Sequence, residues 1–340
     1  MLNKAYIDLN LLKNNALAVK EKLNKGVKFC AVVKADAYGH GASVCANTLY
    51  PIVDCFAVAL VEEGVALRRS GIDKDIIVLI PPFVSDLPSA VHHRLTLTVS
   101  TVLDVLRVQR ESQKQNKRTK VHIKVNTGMN RQGVDGLDEL ILLVKEVKKS
   151  KNLILDGVYS HFACPEEEKV RKVALDKFLL ANKTVKGYNN KVTAHISASG
   201  GFLSGVQMDM VRIGILLYGY KPFESSLLSV KPIMRMVAPV IKRFSLKAGD
   251  SALYGNCMAE KDVDLSLIRF GYADGLFRIK TDGQFNNRCM DITAVKGCKN
   301  DYFPILSDKF DADVLAREYG TISYEILCRA SARAEKIYIR

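Results

Sequence analysis

Short apolar segments alternate with amphipathic segments along much of the 340-residue chain, and this alternation constrains the fold most. The apolar segments are rich in Val, Ile and Phe. Several are apolar almost throughout, as expected of strands buried on both faces. We predict eight such strands, at Phe29–Ala37, Cys55–Leu60, Asp75–Ile80, Leu95–Ser100, Lys120–Thr127, Asn152–Ala163, Lys191–Ala198 and Met208–Gly219.

The segments between these strands have helical spacing. In Leu137–Lys149 the apolar residues fall on one face and lysines fill the other, and Thr101–Arg110 and Lys169–Asn182 show the same pattern. Alternating strand and helix units indicate an α/β fold. We predict a (β/α)8 barrel of the TIM type over residues 1–228, and the alternative is a doubly wound open sheet.

The pattern changes after Gly219, where strands and turns predominate. We predict strands at Lys231–Val240, Ile241–Asp250 and Leu265–Tyr272, turns at Gly249-Asp250 and Asp282-Gly283, and one helix at Ala312–Tyr319 with Asp311 as its N-cap. The domain boundary therefore falls near residues 225–232, and a mainly-β second domain is expected at residues 229–340.

The chain is basic, with 50 Lys and Arg against 36 Asp and Glu and a net charge of +14. Basic chains attract polyanions, so nucleic acid is a candidate partner. The densest basic cluster, Gln113–Lys120, is short and has no interleaved aromatic residues. We interpret the charge as a solvated surface and expect no nucleic-acid partner.

Neither a membrane segment nor a metal site is expected. The longest unbroken apolar run, Cys55–Val61, has seven residues, whereas a spanning helix needs about 20. The N-terminal segment Met1–Lys25 lacks a signal-peptide core, so we expect a cytoplasmic protein. The eight cysteines are scattered without a CxxC pair, so we expect buried thiols rather than a zinc site.

The strongest local signal is Lys34 within Ala31–Gly41 (AVVKADAYGHG), because a lysine there lies near the C-terminal end of a predicted strand. In a barrel that end faces the active site. A desolvated lysine lowers its pKa and becomes a nucleophile for carbonyl groups. On the residues alone, the alternative is a strand-end lysine that reaches solvent or pairs with Asp36.

The eleven residues Ala31–Gly41 resemble the pyridoxal-phosphate attachment signature of the alanine racemase family. Seven further segments resemble motifs of that family in the same order, so that the resemblance covers nearly the whole chain. They are Lys124–Arg131 (KVNTGMNR), Tyr159–Ala163, Asp209–Ile215 (DMVRIGI), Leu253–Gly255, Gly271–Gly275, Cys289–Asp291 and Gly320–Glu325.

The resemblance implies a pyridoxal-phosphate-dependent isomerase with two catalytic groups on opposite faces of the cofactor. Lys34 would hold the cofactor and act on the D-side proton, and Tyr254 would act on the L-side proton. In the family the tyrosine comes from a second subunit, so a homodimer with shared active sites is expected.

The resemblance also assigns the cofactor contacts. Arg212 would face the pyridine nitrogen, where a permanent cation limits side reactions. Its place inside the apolar run Met210–Leu217 argues against a surface arginine. The remaining cofactor-binding candidates are Tyr38, His161, Ser199, the backbone amides of Gly214 and Ile215, and Tyr324.

Substrate contacts follow from the same resemblance. Arg131 and the backbone amide of Met290 would bind the substrate carboxylate. Lys124 matches a position that can be carbamylated and would then orient Arg131, the alternative being an unmodified lysine. The residues expected at the entrance are Tyr272, Arg278 and Asp291, and Tyr324 would narrow the inner gate.

The chain departs from the family pattern at three places. Ala198 stands where the family usually has Asn near the phosphate, and Asn126 replaces an Asp in the segment leading to Arg131. The segment Ile292–Phe310 is shorter than usual and lacks a GDEV-like turn.

We therefore expect an enzyme that interconverts L-alanine and D-alanine and supplies D-alanine for bacterial cell-wall peptidoglycan. One alternative is a racemase of serine or another small amino acid, which the bulk of Tyr324 disfavours. Another is a non-catalytic pyridoxal-phosphate-binding barrel, which Tyr254 and the residues beyond the barrel disfavour.

Overall fold

The computed structural model describes residues 2–254, 259–275, 277–278 and 287–340. Its strands are β1 Lys4–Asp8, β2 Lys28–Val32, β3 Cys55–Val58, β4 Ile76–Val78, β5 Thr96–Val99, β6 Thr119–Lys124, β7 Leu153–Tyr159, β8 Thr193–His195, β9 Met210–Ile213, β10 Met234–Leu246, β11 Val263–Ile268, β12 Asn287–Arg288, β13 Thr293–Lys296, β14 Tyr302–Leu306 and β15 Glu335–Ile339. Its α-helices are Leu9–Glu21, Ala42–Leu49, Val61–Arg69, Leu87–His92, Val102–Lys114, Gly136–Lys149, Glu168–Tyr188, Ser199–Leu203, Ala312–Tyr319 and Ser323–Ala330, and 3-10 helices lie at Val84–Asp86, Ile215–Tyr218 and Tyr272–Asp274.

Strands β2 to β9 form an eight-stranded parallel sheet in the order β8-β7-β6-β5-β4-β3-β2-β9. The two edges of this sheet meet where the Arg212 amide in β9 donates a hydrogen bond of 3.0 Å to the carbonyl of Ser197, two residues beyond the end of β8. The sheet is therefore a nearly closed barrel, which confirms the predicted fold class and excludes the open sheet.

The barrel strands are shorter than predicted, and the difference matters most at β2. The strand ends at Val32, so the prediction that Lys34 lies inside it was wrong. The segment Lys34–Tyr38 is instead a turn with left-handed backbone angles, with φ of 51°, 53° and 56° at Ala35, Asp36 and Ala37. Each such non-glycine residue costs roughly 1–2 kcal/mol relative to a right-handed one.

Glu63 holds this turn in place. One of its carboxylate oxygens accepts a hydrogen bond of 2.6 Å from the Ala35 amide, and the other accepts bonds of 2.7 and 3.0 Å from the amides of Ala59 and Leu60. The same carboxylate therefore begins the helix Val61–Arg69 and fixes the backbone immediately after Lys34.

The chain divides into two compact units, and the barrel belongs to the unit formed by Lys13–Ala37 and Ala42–Val230. The other unit comprises the chain up to Leu12, the short piece Tyr38–Gly41 and Lys231–Arg340. Strand β1 thus falls within the predicted barrel range of 1–228, yet it pairs with β10 and β15.

The second unit is built on a seven-stranded sheet in the order β12-β13-β11-β10-β1-β15, with β14 also paired to β10. Strand β10 runs without a break through Met234–Leu246, where two strands were predicted, and the register shifts between Val240 and Lys242. Strands β13 and β14 form within the shortened segment Ile292–Phe310.

The helix Ala312–Tyr319 is confirmed together with its cap, because Asp311 accepts a hydrogen bond of 2.9 Å from the Val314 amide. A following helix, Ser323–Ala330, was missed. Gly320 separates the two with φ of 66°. No helix within the described part of the chain is both long and apolar enough to span a bilayer. The predicted turn Asp282-Gly283 lies outside the described residues.

We predict that Glu63→Gln lowers the free energy of unfolding by about 1–3 kcal/mol, because the amide nitrogen would face backbone N–H donors. The neighbouring Glu62 is exposed and provides a matched control, so Glu62→Gln should change stability by less than about 0.5 kcal/mol. Urea denaturation of both variants measures the difference, and equal stabilities would contradict the assigned role of Glu63.

Candidate active site

Several predicted site residues converge at one end of the barrel. Lys34 follows β2 by two residues, Lys124 is the last residue of β6, His161 follows β7 by two residues, and Arg212 lies in β9. The C-terminal ends of parallel strands share one end of a barrel, where active sites are built. The barrel therefore supplies the candidate catalytic lysine, a second lysine, a histidine and a buried arginine from four separate strands.

Arg212 is the centre of this group and is only 3% exposed. One guanidinium nitrogen lies 2.6 Å from Nδ1 of His195 and donates to its carbonyl at 3.1 Å. The other donates to the carbonyls of Ser160 and Ile196 at 2.8 and 3.1 Å and lies 3.3 Å from Nδ1 of His161. Burial lowers the pKa of Arg212 to about 10, so the side chain remains a cation at neutral pH.

A hydrogen-bonded chain links Arg212 to the far end of the barrel. His195 Nε2 lies 2.9 Å from Nδ1 of His122, and Nε2 of His122 lies 3.2 Å from a carboxylate oxygen of Asp156. Burial and the charge of Arg212 lower the pKa of His195 well below its usual value, so this imidazole is neutral.

The neutral state of His195 fixes the direction of every bond in this chain. Nδ1 of His195 accepts from Arg212, so Nε2 carries the proton and donates to His122, which donates in turn to Asp156. Burial raises the pKa of Asp156, but the hydrogen bond from His122 and the charge of Lys120 outweigh that effect and lower it. The carboxylate of Asp156 is the last acceptor of this hydrogen-bonded series and lies where the barrel meets solvent.

The three residues that extend from Arg212, namely His122, His195 and Asp156, form a set called the histidine relay below. No role was predicted for any of them from the sequence. The available signal was a histidine inside each of two apolar strands. A single buried histidine is usually a satisfied core residue, and the partners lie 34 and 73 positions apart along the chain. Only the barrel topology brings the three side chains together.

The ring of Tyr159 packs against His195 and Lys124. Its ring stacks on His195 with centroids 4.9 Å apart, and Lys124 Nζ lies 4.4 Å from the centre of the same ring. Its hydroxyl donates to the carbonyl of Leu79 at 2.8 Å. Burial, followed by the charges of Arg212 and Arg131, lowers the pKa of Lys124 to about 6. The amine of Lys124 is therefore mostly neutral at pH 7.

Several basic side chains act on His161. Burial lowers the pKa of His161 well below its usual value, and the charges of Arg212, Lys124, Arg131 and Lys34 all lower it further. These groups are therefore close enough to act on one imidazole. The buried guanidinium of Arg212, with the exposed Arg131 nearby, favours anionic ligands such as a phosphate or a carboxylate.

Ser199 lies at the start of the helix Ser199–Leu203, and its hydroxyl accepts a hydrogen bond of 3.2 Å from the Gly214 amide. Ala198 occupies the N-cap position of this helix and has no side-chain group that could accept a hydrogen bond from the helix. The family's usual Asn could do so, and this chain lacks that bond. Ile215 begins the 3-10 helix Ile215–Tyr218 and is buried. A hydroxyl and backbone amides at a helix start are suited to an anion.

Asn126 organises the loop that leads to Arg131. Its amide nitrogen donates to side-chain oxygens of Asn130 and Asp135 at 2.9 and 2.7 Å, and its oxygen accepts from the amides of Gly128 and Asn130 at 3.1 and 3.0 Å. An aspartate could accept the last two bonds but could not donate to Asp135. The Asp-to-Asn departure therefore fits its surroundings.

The second unit brings together another subset of the predicted residues. The rings of Tyr38 and Tyr324 lie 5.8 Å apart at 57°, and burial raises the pKa of Tyr324 to about 12. The Tyr272 amide donates to the carbonyl of Cys289 at 3.1 Å, and the carbonyl of Met290 accepts from the Ala273 amide at 2.9 Å. These bonds hold the turn at Tyr272 beside the segment around Met290.

The other predicted residues of this unit are surface residues. Asp291 forms an ion pair of 2.9 Å with Arg333, Arg278 is exposed, and Tyr254 is 70% exposed. Gly255, the third residue of the Leu253–Gly255 motif, lies outside the described residues, as does Cys257. Among the described residues, no group of three or more His, Cys, Asp or Glu side chains is placed to hold a metal ion.

Comparisons with known proteins agree with this architecture. The family model "Alanine racemase, N-terminal domain" matches residues 7–222, and "Alanine racemase, C-terminal domain" matches residues 233–338. An alanine racemase of Treponema denticola is 33% identical over 99% of this chain and 98% of its own length. One of Streptococcus pyogenes serotype M2 is 31% identical over 98% of this chain and 97% of its own length.

Solved structures show the same fold over the whole chain. The alanine racemase of Clostridium difficile 630 superposes with a TM-score of 0.92 at 27% identity, covering 100% of this chain and 96% of that one. The alanine racemase of Bacillus anthracis, solved with bound L-Ala-P, gives a TM-score of 0.90 at 28% identity, covering 99% of this chain and 95% of that one.

The parallel barrel and the mainly-β domain, together with the similarity to alanine racemases along nearly the whole chain, identify a racemase enzyme. The chain belongs to the alanine racemase family.

We predict that His122→Phe lowers the free energy of unfolding by about 1–3 kcal/mol, because the substituted ring leaves the Nε2 proton of His195 without its acceptor. His92 is exposed and serves as the control, so His92→Phe should unfold at nearly the same urea concentration as the parent chain. Equal effects of the two substitutions would show that the His122–His195 bond contributes nothing.

Proposed function

We propose that this chain interconverts L-alanine and D-alanine with pyridoxal phosphate as its cofactor. The observation that carries the proposal is the convergence of Lys34 with the buried Arg212 among cations at the C-terminal end of the barrel. Removing a Cα proton from an amino acid needs a group that accepts the resulting negative charge, and none of these side chains does so alone.

The chemistry of the donor set fits this cofactor. The Ser199 hydroxyl, which accepts from the Gly214 amide and keeps its own proton to donate, and the Ile215 amide suit its phosphate. The Lys34 amine suits its aldehyde, and Arg212 suits its ring nitrogen. Tyr38 and Tyr324 are two further hydroxyl groups assigned to its phosphate. When bound, pyridoxal phosphate supplies an electron sink for the charge left at the Cα carbon.

Arg212 decides which reaction follows. Its guanidinium remains protonated at neutral pH, and the bonds to His195, Ser160 and Ile196 hold it in one orientation. A permanent cation beside a ring nitrogen opposes protonation of that nitrogen. The negative charge at the Cα carbon is then less delocalised, which favours return of a proton to that carbon and therefore racemisation over transamination.

Two groups exchange the proton, one on each face. Lys34 removes and returns the proton on the D side, and Tyr254 does the same on the L side. In this proposal Tyr254 comes from the partner subunit of a homodimer, and its 70% exposure in a single chain supports a place at a subunit surface. Dimerisation is then part of the mechanism.

Substrate selection rests on the groups around the two catalytic residues. Arg131 and the Met290 amide bind the substrate carboxylate, and Tyr272, Arg278 and Asp291 line the entrance. Tyr324 packs beside Tyr38 and narrows the inner gate, which favours the methyl side chain of alanine over serine. The physiological role proposed for this reaction is the supply of D-alanine for cell-wall peptidoglycan. The proposed location of the enzyme is the cytoplasm.

Lys124 is proposed to carry a carbamate. Its mostly neutral amine is able to attack carbon dioxide, forming an N–C bond and releasing one proton, and the product carboxylate then orients the guanidinium of Arg131. Because the neighbouring Arg131 and Arg212 are positive, the added negative charge at Lys124 also attracts both guanidinium groups.

We predict that bicarbonate raises the activity of protein prepared in buffer free of carbon dioxide, and that Lys124→Met abolishes this response. Intact-protein mass spectrometry under native conditions should detect the added carbon dioxide on the parent chain but not on the variant. Exposed Lys25 gives the control Lys25→Met, which should respond like the parent chain. A response that survives in Lys124→Met would contradict the proposal.

The direct test of function is incubation of the purified chain and cofactor with L-alanine or L-serine, followed by chiral chromatography. We expect D-alanine to form much faster than D-serine. Lys34→Ala should lose at least about 10³-fold in rate, because the residue serves as both attachment and acid–base group, whereas the control Lys25→Ala keeps full activity.

Two other outcomes of this racemisation assay would contradict the proposal. Dominant formation of D-serine would show that the gate at Tyr324 is wider than inferred. A chain that binds the cofactor but racemises neither amino acid would support the non-catalytic barrel. The match of residues 233–338 to the racemase C-terminal domain argues against that second outcome.

A further inference from the structure

The turn that follows Lys34 has a backbone conformation that is costly to hold. Four successive non-glycine residues, from Ala35 to Tyr38, have left-handed φ angles of 51°, 53°, 56° and 53°. Non-glycine residues usually adopt such angles singly, because the Cβ atom then crowds the following carbonyl oxygen. A run of this kind persists where neighbouring groups hold it in place. The bonds that hold this turn therefore also fix the backbone beside Lys34.

Two carboxylates hold the turn through backbone amides. Glu63 accepts a hydrogen bond of 2.6 Å from the Ala35 amide, and Asp36 accepts one of 2.7 Å from the Ala42 amide at the start of the next helix. The Asp36 bond lies within the segment that leads from β2 to this helix. The Glu63 bond instead comes from the helix Val61–Arg69, which follows the neighbouring strand β3. It therefore links the turn to a separate part of the barrel.

The local role of Glu63 has a close parallel at another helix of the barrel. Asp104 is the third residue of the helix Val102–Lys114, as Glu63 is of its own helix. One oxygen of Asp104 accepts bonds of 2.9 Å from the amides of Ser100 and Thr101, the two residues before the helix. One oxygen of Glu63 accepts from the two equivalent amides. An aspartate is thus sufficient for a helix start of this type.

The additional feature of Glu63 is its second oxygen, Oε1, which accepts the bond from Ala35 while Oε2 serves the helix start. A glutamate has one methylene more than an aspartate, and this extra length allows the carboxylate to meet both groups of donors. The substitution Glu63→Asp should therefore keep the two local bonds, as Asp104 does, and lose the bond to Ala35. It separates the stability of the helix start from control of the turn.

We propose that Glu63 is a positioning residue for Lys34 and holds the strained turn in the conformation from which the Lys34 amine meets the aldehyde of pyridoxal phosphate. This role rests on the proposed function, in which Lys34 holds the cofactor. In that step the amine nitrogen and the aldehyde carbon form a C=N bond, and the aldehyde oxygen leaves as water with the two amine protons. Correct placement of two reacting groups accelerates such a step, and a small displacement loses much of that gain.

The bond to Ala35 is tested by hydrogen exchange, read by NMR on the full-length chain before cofactor is added. We expect Glu63→Asp to raise the exchange rate of the Ala35 amide by at least about 10-fold, because that amide loses its acceptor. The amides of Ala59 and Leu60 should exchange as in the parent chain. Unchanged exchange at Ala35 would overturn the proposal.

The effect on Lys34 is tested by mixing each chain with pyridoxal phosphate and following the visible absorbance of the C=N bond. Borohydride reduction and mass spectrometry then confirm which residue has reacted. We expect bond formation at Lys34 to be at least about 10-fold slower in Glu63→Asp, although urea denaturation should show a stability close to that of the parent chain. An unchanged rate in this variant would overturn the proposal.

Asp104→Asn provides the matched control for Glu63→Gln, because each substitution turns a carboxylate at the same helix position into an amide. Both variants should lose stability, but Asp104→Asn should form the C=N bond at the parent rate, whereas Glu63→Gln should be slow. Equal slowing in the two variants would show that the stability of a helix start sets the rate, and would overturn the proposal. Glu63→Gln also replaces Glu63→Asp in these measurements if the latter fails to fold.

Failure of the proposed function gives a different result from failure of this role. A parent chain that forms no C=N bond at Lys34 would overturn the proposed function and the role of Glu63 together. A parent chain that forms the bond, with Glu63→Asp reacting equally fast, would overturn the role of Glu63 alone.

Discussion

The buried guanidinium of Arg212 is the constraint on which the rest of the barrel depends. Taking a charged side chain out of water costs several kcal/mol unless its donors are satisfied. Among the described residues, its partners are carbonyl oxygens of Ser160, His195 and Ile196 and the imidazoles of His161 and His195. Neutral acceptors hold the cation in place without cancelling its charge, so the charge remains available to a ligand.

The histidine chain behind Arg212 follows from the same constraint. A neutral His195 accepts from the guanidinium only if its other nitrogen donates, and His122 provides the acceptor while Asp156 provides the final anion. Because Asp156 stands at the solvent end of the barrel, its charge is far from the proposed ligand site. The histidine relay thus orients the Arg212 guanidinium from inside the barrel, and its positive charge remains available to a ligand at the C-terminal end.

How far the sequence predicts this arrangement depends on whether a feature is local. The eight barrel strands and the helix at Ala312–Tyr319 with its Asp311 cap follow from short-range patterns, and the role proposed for Lys34 comes from a local motif. The left-handed turn after Lys34 does not, because Glu63 holds it from 28 positions away. For the same reason the hydrogen-bonded pair His122 and His195 was not predicted, since the two residues become neighbours only when the barrel forms.

Strand β1 shows the same limit at the level of domains. No strand was predicted at Lys4–Asp8, and nothing local reveals that this segment pairs with β10 and β15. Sequence order therefore suggested a barrel from the first residue. The pairing partners lie more than 200 residues away, and only long-range hydrogen bonding assigns the strand to the second unit.

The central claim is that Arg212 acts as a permanent cation beside the cofactor ring. The most direct measurement is the ¹⁵N NMR shift of the ring nitrogen in the chain loaded with ¹⁵N-labelled pyridoxal phosphate. The account predicts the shift of an unprotonated pyridine nitrogen in the parent chain and of a protonated one in Arg212→Glu. A protonated nitrogen in the parent chain would contradict it.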